Sequence, residues 1–165
     1  MNYLKGIIFL TTLLILSRII PHPPNFTPIL AGIIFLPFIK RDIKFSVFVP
    51  LGAMLISDFI IGMHSIMLWT YGPIIILSLL SYYFTNAKAS RIASLAIASP
   101  AVFYLISNFG VWINSPMYTK DLSGLALCYI NAIPFYASSA TACILFCSAF
   151  FLVYSLLKNN RLSFN

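Results

Sequence analysis

A chain of 165 residues that is 61% hydrophobic and 8% charged, with a mean hydropathy of +0.97 and no glutamate at all, cannot cover the surface of a soluble domain. The net charge of +7 does not point to nucleic acid either, because the basic residues stand singly or in threes beside apolar runs, with no basic stripe interleaved with aromatics. The expectation is an all-α, polytopic membrane helix bundle. About six transmembrane helices of ~20 residues with short connections use up the length, so residues 1–165 form a single integral membrane domain.

The first span, Lys5 to Ile20, begins like a signal peptide but shows no small-x-small cleavage pattern before Pro21, which predicts a retained helix. Pro21-His22-Pro23-Pro24-Asn25-Phe26-Thr27-Pro28 then makes a stiff extended loop, since its prolines remove amide donors and push their neighbours out of the helical region. Pro28 suits the first turn of a short second helix ending near Ile39, with Thr27 or Asn25 as its cap. A basic turn, Lys40 to Lys44, leads to a third helix over Phe45 to Gly62 that Pro50 and Gly52 can kink. After the tight turn Met63-His64-Ser65, a fourth helix runs from Ile66 to Phe84 and a fifth from Arg91 to Gly110. In the fifth, Ser90, Ser94 and Ala98 recur every four residues, a spacing that lets helices approach closely in lipid. Residues 111–123 read as a polar, irregular loop. Gly124 to Ala132 reads as a short helix stopped by Pro134, and Phe135 to Leu157 as the last span. Cys128, Cys143 and Cys147 are odd in number and apolar in context, which suits packing rather than a disulfide framework.

Basic residues orient this array. With both termini inside, Lys5, Lys40, Arg41, Lys44, Lys88, Arg91, Lys158 and Arg161 fall on the cytoplasmic side, and only Arg18 and Lys120 fall outside, as the positive-inside rule requires. The expected location is a bacterial inner (plasma) membrane. The same orientation gathers Arg18, His22, Asn25, Asp58, His64, Asn108, Trp112, Tyr118, Lys120, Asp121 and Asn131 at the outer face, and the first eight of these are the candidate ligand-binding residues. Asp58 lies about one turn inside its helix, where an ionisable group needs a partner or a water-filled cavity. Arg18 is its natural counter-ion, and Asp58 either pairs with it to lock the fold or faces a ligand. Two histidines with Asp58 make a thin metal set, and no metal or other cofactor is expected. Enzyme signatures such as HExxH, GxSxG or a Gly-rich phosphate loop are missing. Ser123 with His64 is the one pairing from which an intramembrane serine enzyme could be built.

The run Arg18 to Pro28, Ser57-Asp58 with Gly62-Met63-His64, Ser107 to Trp112, and Gly124 to Tyr129 with Ile133-Pro134-Phe135 resembles a family of small bacterial membrane proteins classed as a domain of unknown function. More remotely, the layout is similar to the substrate-binding S components of energy-coupling-factor vitamin transporters. Those have six helices with both ends cytoplasmic, a Pro-containing loop after helix 1, and a long loop between helices 5 and 6 over an outward-facing pocket. Their docking surface for the transporter's transmembrane subunit is built on small residues in helix 1, whereas Ile7 to Ser17 here contains no alanine.

The resemblance implies capture of a small nutrient at the outer face, whether a vitamin, a cobalamin-like molecule or a metal-containing ligand, for uptake. Its partners would be the lipid bilayer, the nutrient and a membrane-embedded transporter subunit, with no nucleic acid. A structural or assembly subunit of a membrane complex is the alternative, with an intramembrane enzyme behind it. Single cysteines at Asn86 or Asn160 in a Cys-free background should be protected from a membrane-impermeant thiol reagent in intact cells, whereas one at Ser115 should label; the reverse pattern would overturn the orientation.

Overall fold

In the computed structural model, which describes residues 3–84 and 89–162, the chain is all-helical. Its elements are α1 (Tyr3–Ile19), α2 (Ile29–Ile39), α3 (Ile43–Ile61), α4 (Met67–Phe84), α5 (Ala89–Asn114) and α6 (Leu122–Leu162). The expected turn at Asn86 to Ser90, with Lys88 in it, lies outside the described residues apart from its last two positions. Four helices, α3 to α6, are long and apolar enough to cross a membrane. Their outward faces carry Phe48, Phe59, Leu68, Ile97 and Leu152, all exposed, as a surface turned to lipid would be.

α2 is the axis of the bundle. It reads Ile-Leu-Ala-Gly-Ile-Ile-Phe-Leu-Pro-Phe-Ile and is apolar on every side, so it can be stable only with all of its sides covered. Nine of its residues, Ile29 to Pro37, are buried. It touches each of the other five helices, which follow one another around it in the order α1, α3, α4, α5, α6, with no packing between α1 and α6 among the described residues. On its α6 side, Phe35 meets Phe150 edge-on with centroids 5.6 Å apart, Phe38 meets Tyr154 at 5.7 Å, and Phe26 in the preceding loop meets Phe146 at 6.1 Å. At 11 residues, α2 rises about 16 Å, roughly half of a hydrocarbon layer of about 30 Å. It lies alongside the basic half of its neighbours and leaves the Pro-loop half of the bundle without a central helix.

Several boundaries differ from the sequence expectation. No side chain caps α2; its N-cap is Pro28 itself, and the Pro28 carbonyl accepts from Gly32 N at 2.8 Å. α5 runs past Gly110 to Asn114. The short helix expected over Gly124 to Ala132 and the last span are one helix of 41 residues that continues through Pro134. A helix interior loses one hydrogen bond at a proline, and at membrane depth the neighbouring amides have no water to turn to, so the helix continues. α2, α3, α4 and α5 tolerate Pro37, Pro50, Pro73 and Pro100 in the same way. At 1.5 Å per residue α6 is about 60 Å long, so even when strongly tilted it extends past the apolar layer.

Asp42 caps α3, accepting from Lys44 N at 2.9 Å, and Gly62 at φ 124° ends it, a backbone conformation that L side chains rarely adopt. Gly110 has a different reason. A Cβ there would lie 2.0 Å from the Trp69 ring, so α4 and α5 approach through a glycine on one side and an indole on the other. Gly110→Ala should therefore lower thermal stability in detergent, by about 1–3 kcal/mol from overpacking. Gly72→Ala, where nothing lies within 4 Å, should be neutral or stabilising by up to about 1 kcal/mol; equal effects at both positions would contradict the packing account.

Candidate functional site

α1 and α3 pack side by side and bring Arg18, in the last turn of α1, against Asp58, one turn before the end of α3. Arg18 Nη2 is 2.7 Å from Asp58 Oδ1. Arg18 Nη1 donates to Ser57 Oγ at 2.6 Å and to the Met54 carbonyl at 3.1 Å. The second carboxylate oxygen accepts from Tyr71 Oη at 2.7 Å, and His64 Nε2 stands 3.8 Å from it. Asp58 is 1% exposed. A buried ion pair gains little net stability over an apolar pair of the same shape, but removal of one partner leaves a charge with nothing to face it. The arrangement therefore fixes where α1, α3 and α4 meet more than it adds to stability.

The polar segment after α5 is tied back onto the helices it joins. Trp112 Nε1 donates to the Thr119 carbonyl at 2.8 Å. Lys120 Nζ donates to the Ser115 carbonyl at 2.6 Å and to the Trp112 carbonyl, placing a cation at the C-terminal end of α5, where the helix dipole favours one. Asp121 Oδ1 accepts from Gly124 N at 2.7 Å, Ser123 Oγ at 2.7 Å and Thr119 Oγ1 at 2.9 Å. It is thus the N-cap of α6, and these donors, the Gly124 amide foremost, hold its carboxyl below the usual range. Farther along, Tyr104 Oη donates to the Tyr129 carbonyl at 2.6 Å and Tyr129 Oη to the Leu105 carbonyl at 2.7 Å, a reciprocal latch between α5 and α6.

Above the N-terminus of α2, these elements enclose a cavity of about 510 Å³, within the range of small-molecule sites. The turn before α4 contributes Ile66 and the first turn of α4 contributes Thr70, and α5 contributes Pro100, Phe103, Tyr104, Ser107 and Asn108. α6 adds Asn131, Phe135, Tyr136 and Ser139. Pro24 and Asn25 of the Pro loop, Arg18, His64 and Tyr118 also line it, together with Val111, Cys128 and Ala132. Asn25 has φ 61°, the left-handed region that asparagine enters more readily than other non-glycine residues.

Of the residues nominated from sequence, Arg18, Asn25, His64, Asn108 and Tyr118 line this cavity. Asp58 sits behind Arg18, outside the lining. His22 is exposed, with Nδ1 2.7 Å from the Ile20 carbonyl, and Trp112 belongs to the loop clamp; neither reaches the cavity. Tyr71, Tyr104, Ser107, Asn131, Tyr136 and Ser139 were not singled out as ligand-binding residues by the sequence. Tyr71 carried a usable signal: Asp58 lies three residues before the end of α3 and Tyr71 four residues after the start of α4, so an antiparallel hairpin sets them at one depth. Among the described residues no group of three or more His, Cys, Asp or Glu could hold a metal ion, and the three cysteines are free and buried.

The buried cluster generates a sharp expectation. Asp58→Asn and Arg18→Gln should each destabilise the protein by about 3–5 kcal/mol, and Tyr71→Phe by about 1–3 kcal/mol, since the carboxylate loses a donor. The Asp58→Asn/Arg18→Gln double variant should be less damaged than the sum of its singles. A strictly additive cycle, read by thermal or denaturant melting in detergent, would contradict the pairing.

A model for a family of unknown function, DUF6580, matches residues 2–164. No curated protein and no solved structure is significantly similar to the chain. With nearly its whole length matched, the chain belongs to DUF6580.

Proposed function

We propose that this member of a family of unknown function is a membrane-embedded binding protein that captures a small nutrient at its outer face for uptake, in the manner of a transporter S component. The observation that carries this reading is the cavity of about 510 Å³ above α2, walled by α4, α5 and α6 and rimmed by the Pro loop. It combines an apolar and aromatic body with a few separated polar groups, the usual composition of a small-molecule site. Lys40, Arg41, Lys44 and Arg91 lie at the opposite end of the bundle, which by the positive-inside rule turns the cavity outward. A membrane-embedded transporter subunit is the natural partner for the apolar outer faces.

Ser123 donates to Asp121 in a helix cap and does not line the cavity with His64, so its hydroxyl is engaged in capping rather than by a general base. This supports binding over catalysis. Protein purified gently from cells grown on rich medium should carry a small organic molecule detectable by native mass spectrometry. Ser107→Trp, which fills the cavity, should lose it while melting within a few degrees of the parent. Retention of the molecule by Ser107→Trp would place it elsewhere. A stoichiometric protein partner with no small molecule would instead favour an assembly subunit.

A further inference from the structure

The charge balance of the cavity restricts what it can hold. Among the described residues Arg18 is the only Lys, Arg, Asp or Glu in the lining, and its guanidinium is already matched by Asp58 at 2.7 Å and engaged by Ser57 and Met54. Asp58 is sealed behind it at 1% exposure, so no carboxylate is presented to a cation. A charged ligand would shed its hydration shell and find no free counter-charge, a transfer that is strongly unfavourable.

The lining offers carboxamides instead, one from each of three elements. Asn25 comes from the Pro loop, Asn108 from α5 and Asn131 from α6. Asn108 Nδ2 donates to the Tyr104 carbonyl at 2.8 Å, which turns its oxygen into the free acceptor. The Asn25 and Asn131 amides have no hydrogen-bond partner among the described residues. The Asn25 and Asn131 amides each present a donor and an acceptor in one plane, the complement of a lactam or amide edge, and Asn108 adds an acceptor. Beside them Tyr104 and Tyr136 stand with ring centroids 5.0 Å apart, and both phenol rings, with Phe103 and Phe135, form an aromatic wall. The Tyr104 hydroxyl is committed to the Tyr129 carbonyl, so that residue offers its ring rather than its oxygen.

Resting on the reading of this cavity as a binding site, we infer that its ligand is an uncharged planar molecule bearing a lactam- or amide-type edge, held by Asn25, Asn108 and Asn131 against the Tyr104 and Tyr136 rings. The left-handed backbone of Asn25 supplies a clean variant, because glycine accepts that conformation at no cost. Asn25→Gly removes the amide and keeps the loop, and Asn108→Leu removes the amide at nearly constant volume.

The full-length protein in nanodiscs is titrated with uracil, nicotinamide and lumichrome as uncharged probes, and with orotate, nicotinate and benzamidinium as charged ones. At least one uncharged probe should bind, and bind more tightly than every charged probe, with an affinity unchanged between low and high salt. Asn25→Gly and Asn108→Leu should each weaken it by about tenfold or more, as sites that hydrogen-bond a ligand respond to loss of one partner. A charged probe that binds more tightly, and is lost in Ser107→Trp, would overturn the ligand class and leave the cavity as the site. Uncharged binding indifferent to both asparagine variants but lost in Ser107→Trp would do the same. Binding that survives Ser107→Trp, or no response to any probe, would overturn class and site together.

Discussion

The length of α2 is the constraint on which the rest of this structure depends. A helix of 11 residues that is apolar on all sides must be enclosed by its neighbours, yet it is too short to fill a bundle as deep as a bilayer. The five surrounding helices therefore close on α2 at the basic end. At the other end their inner faces enclose space, and the chain has placed there the residues that tolerate a partly hydrated interior: Ser107, Asn108, Asn131 and Tyr136. Had α2 continued for two more turns upstream, Pro21 to Pro28 would have been helix and the cavity would have been core. The four prolines of that segment hold the helix short, because a proline-rich run can neither donate nor adopt the helical conformation ahead of each ring.

Holding such a space open needs walls that do not collapse inward, and the polar contacts are distributed accordingly. The Arg18–Asp58–Tyr71 cluster joins α1, α3 and α4 beside the cavity, while the Tyr104–Tyr129 latch joins α5 to α6 on the far side. Lys120 and Asp121, adjacent in sequence, serve opposite helix ends: the lysine meets carbonyls at the end of α5 and the aspartate meets amides at the start of α6. Each charge sits where the local dipole favours it. The connection between α5 and α6 is thereby a clamp with its own hydrogen bonds.

Charge neutrality of the cavity follows from the same economy. With only three acidic residues in the chain, one caps α3, one caps α6 and one pairs with Arg18. None remains to face a ligand. Recognition in the cavity thus falls to amides and rings, groups that carry direction without the desolvation cost of an ion.

Much of this was readable from the residues themselves. Hydropathy and length pointed to a helical membrane bundle, the prolines to a stiff loop after α1, and an aspartate one turn inside an apolar helix to either a partner or a water-filled cavity, with Arg18 as the natural counter-ion. Those inferences rest on local composition and on the cost of burying a charge, both of which are properties of the sequence. The continuity of α6 through Pro134 was not readable, because proline's effect depends on whether water or protein surrounds the amides it disturbs. Nor was the membership of the cavity. His22, in the Pro loop, and Trp112, in the last turn of α5, carry the same chemistry as the lining residues, and only the packing of three helices around the space above α2 decides that they point elsewhere. Sequence determined which groups gather at one end of the bundle; tertiary structure decided which of them share a cavity, since that is set by helix rotation and depth rather than by residue type.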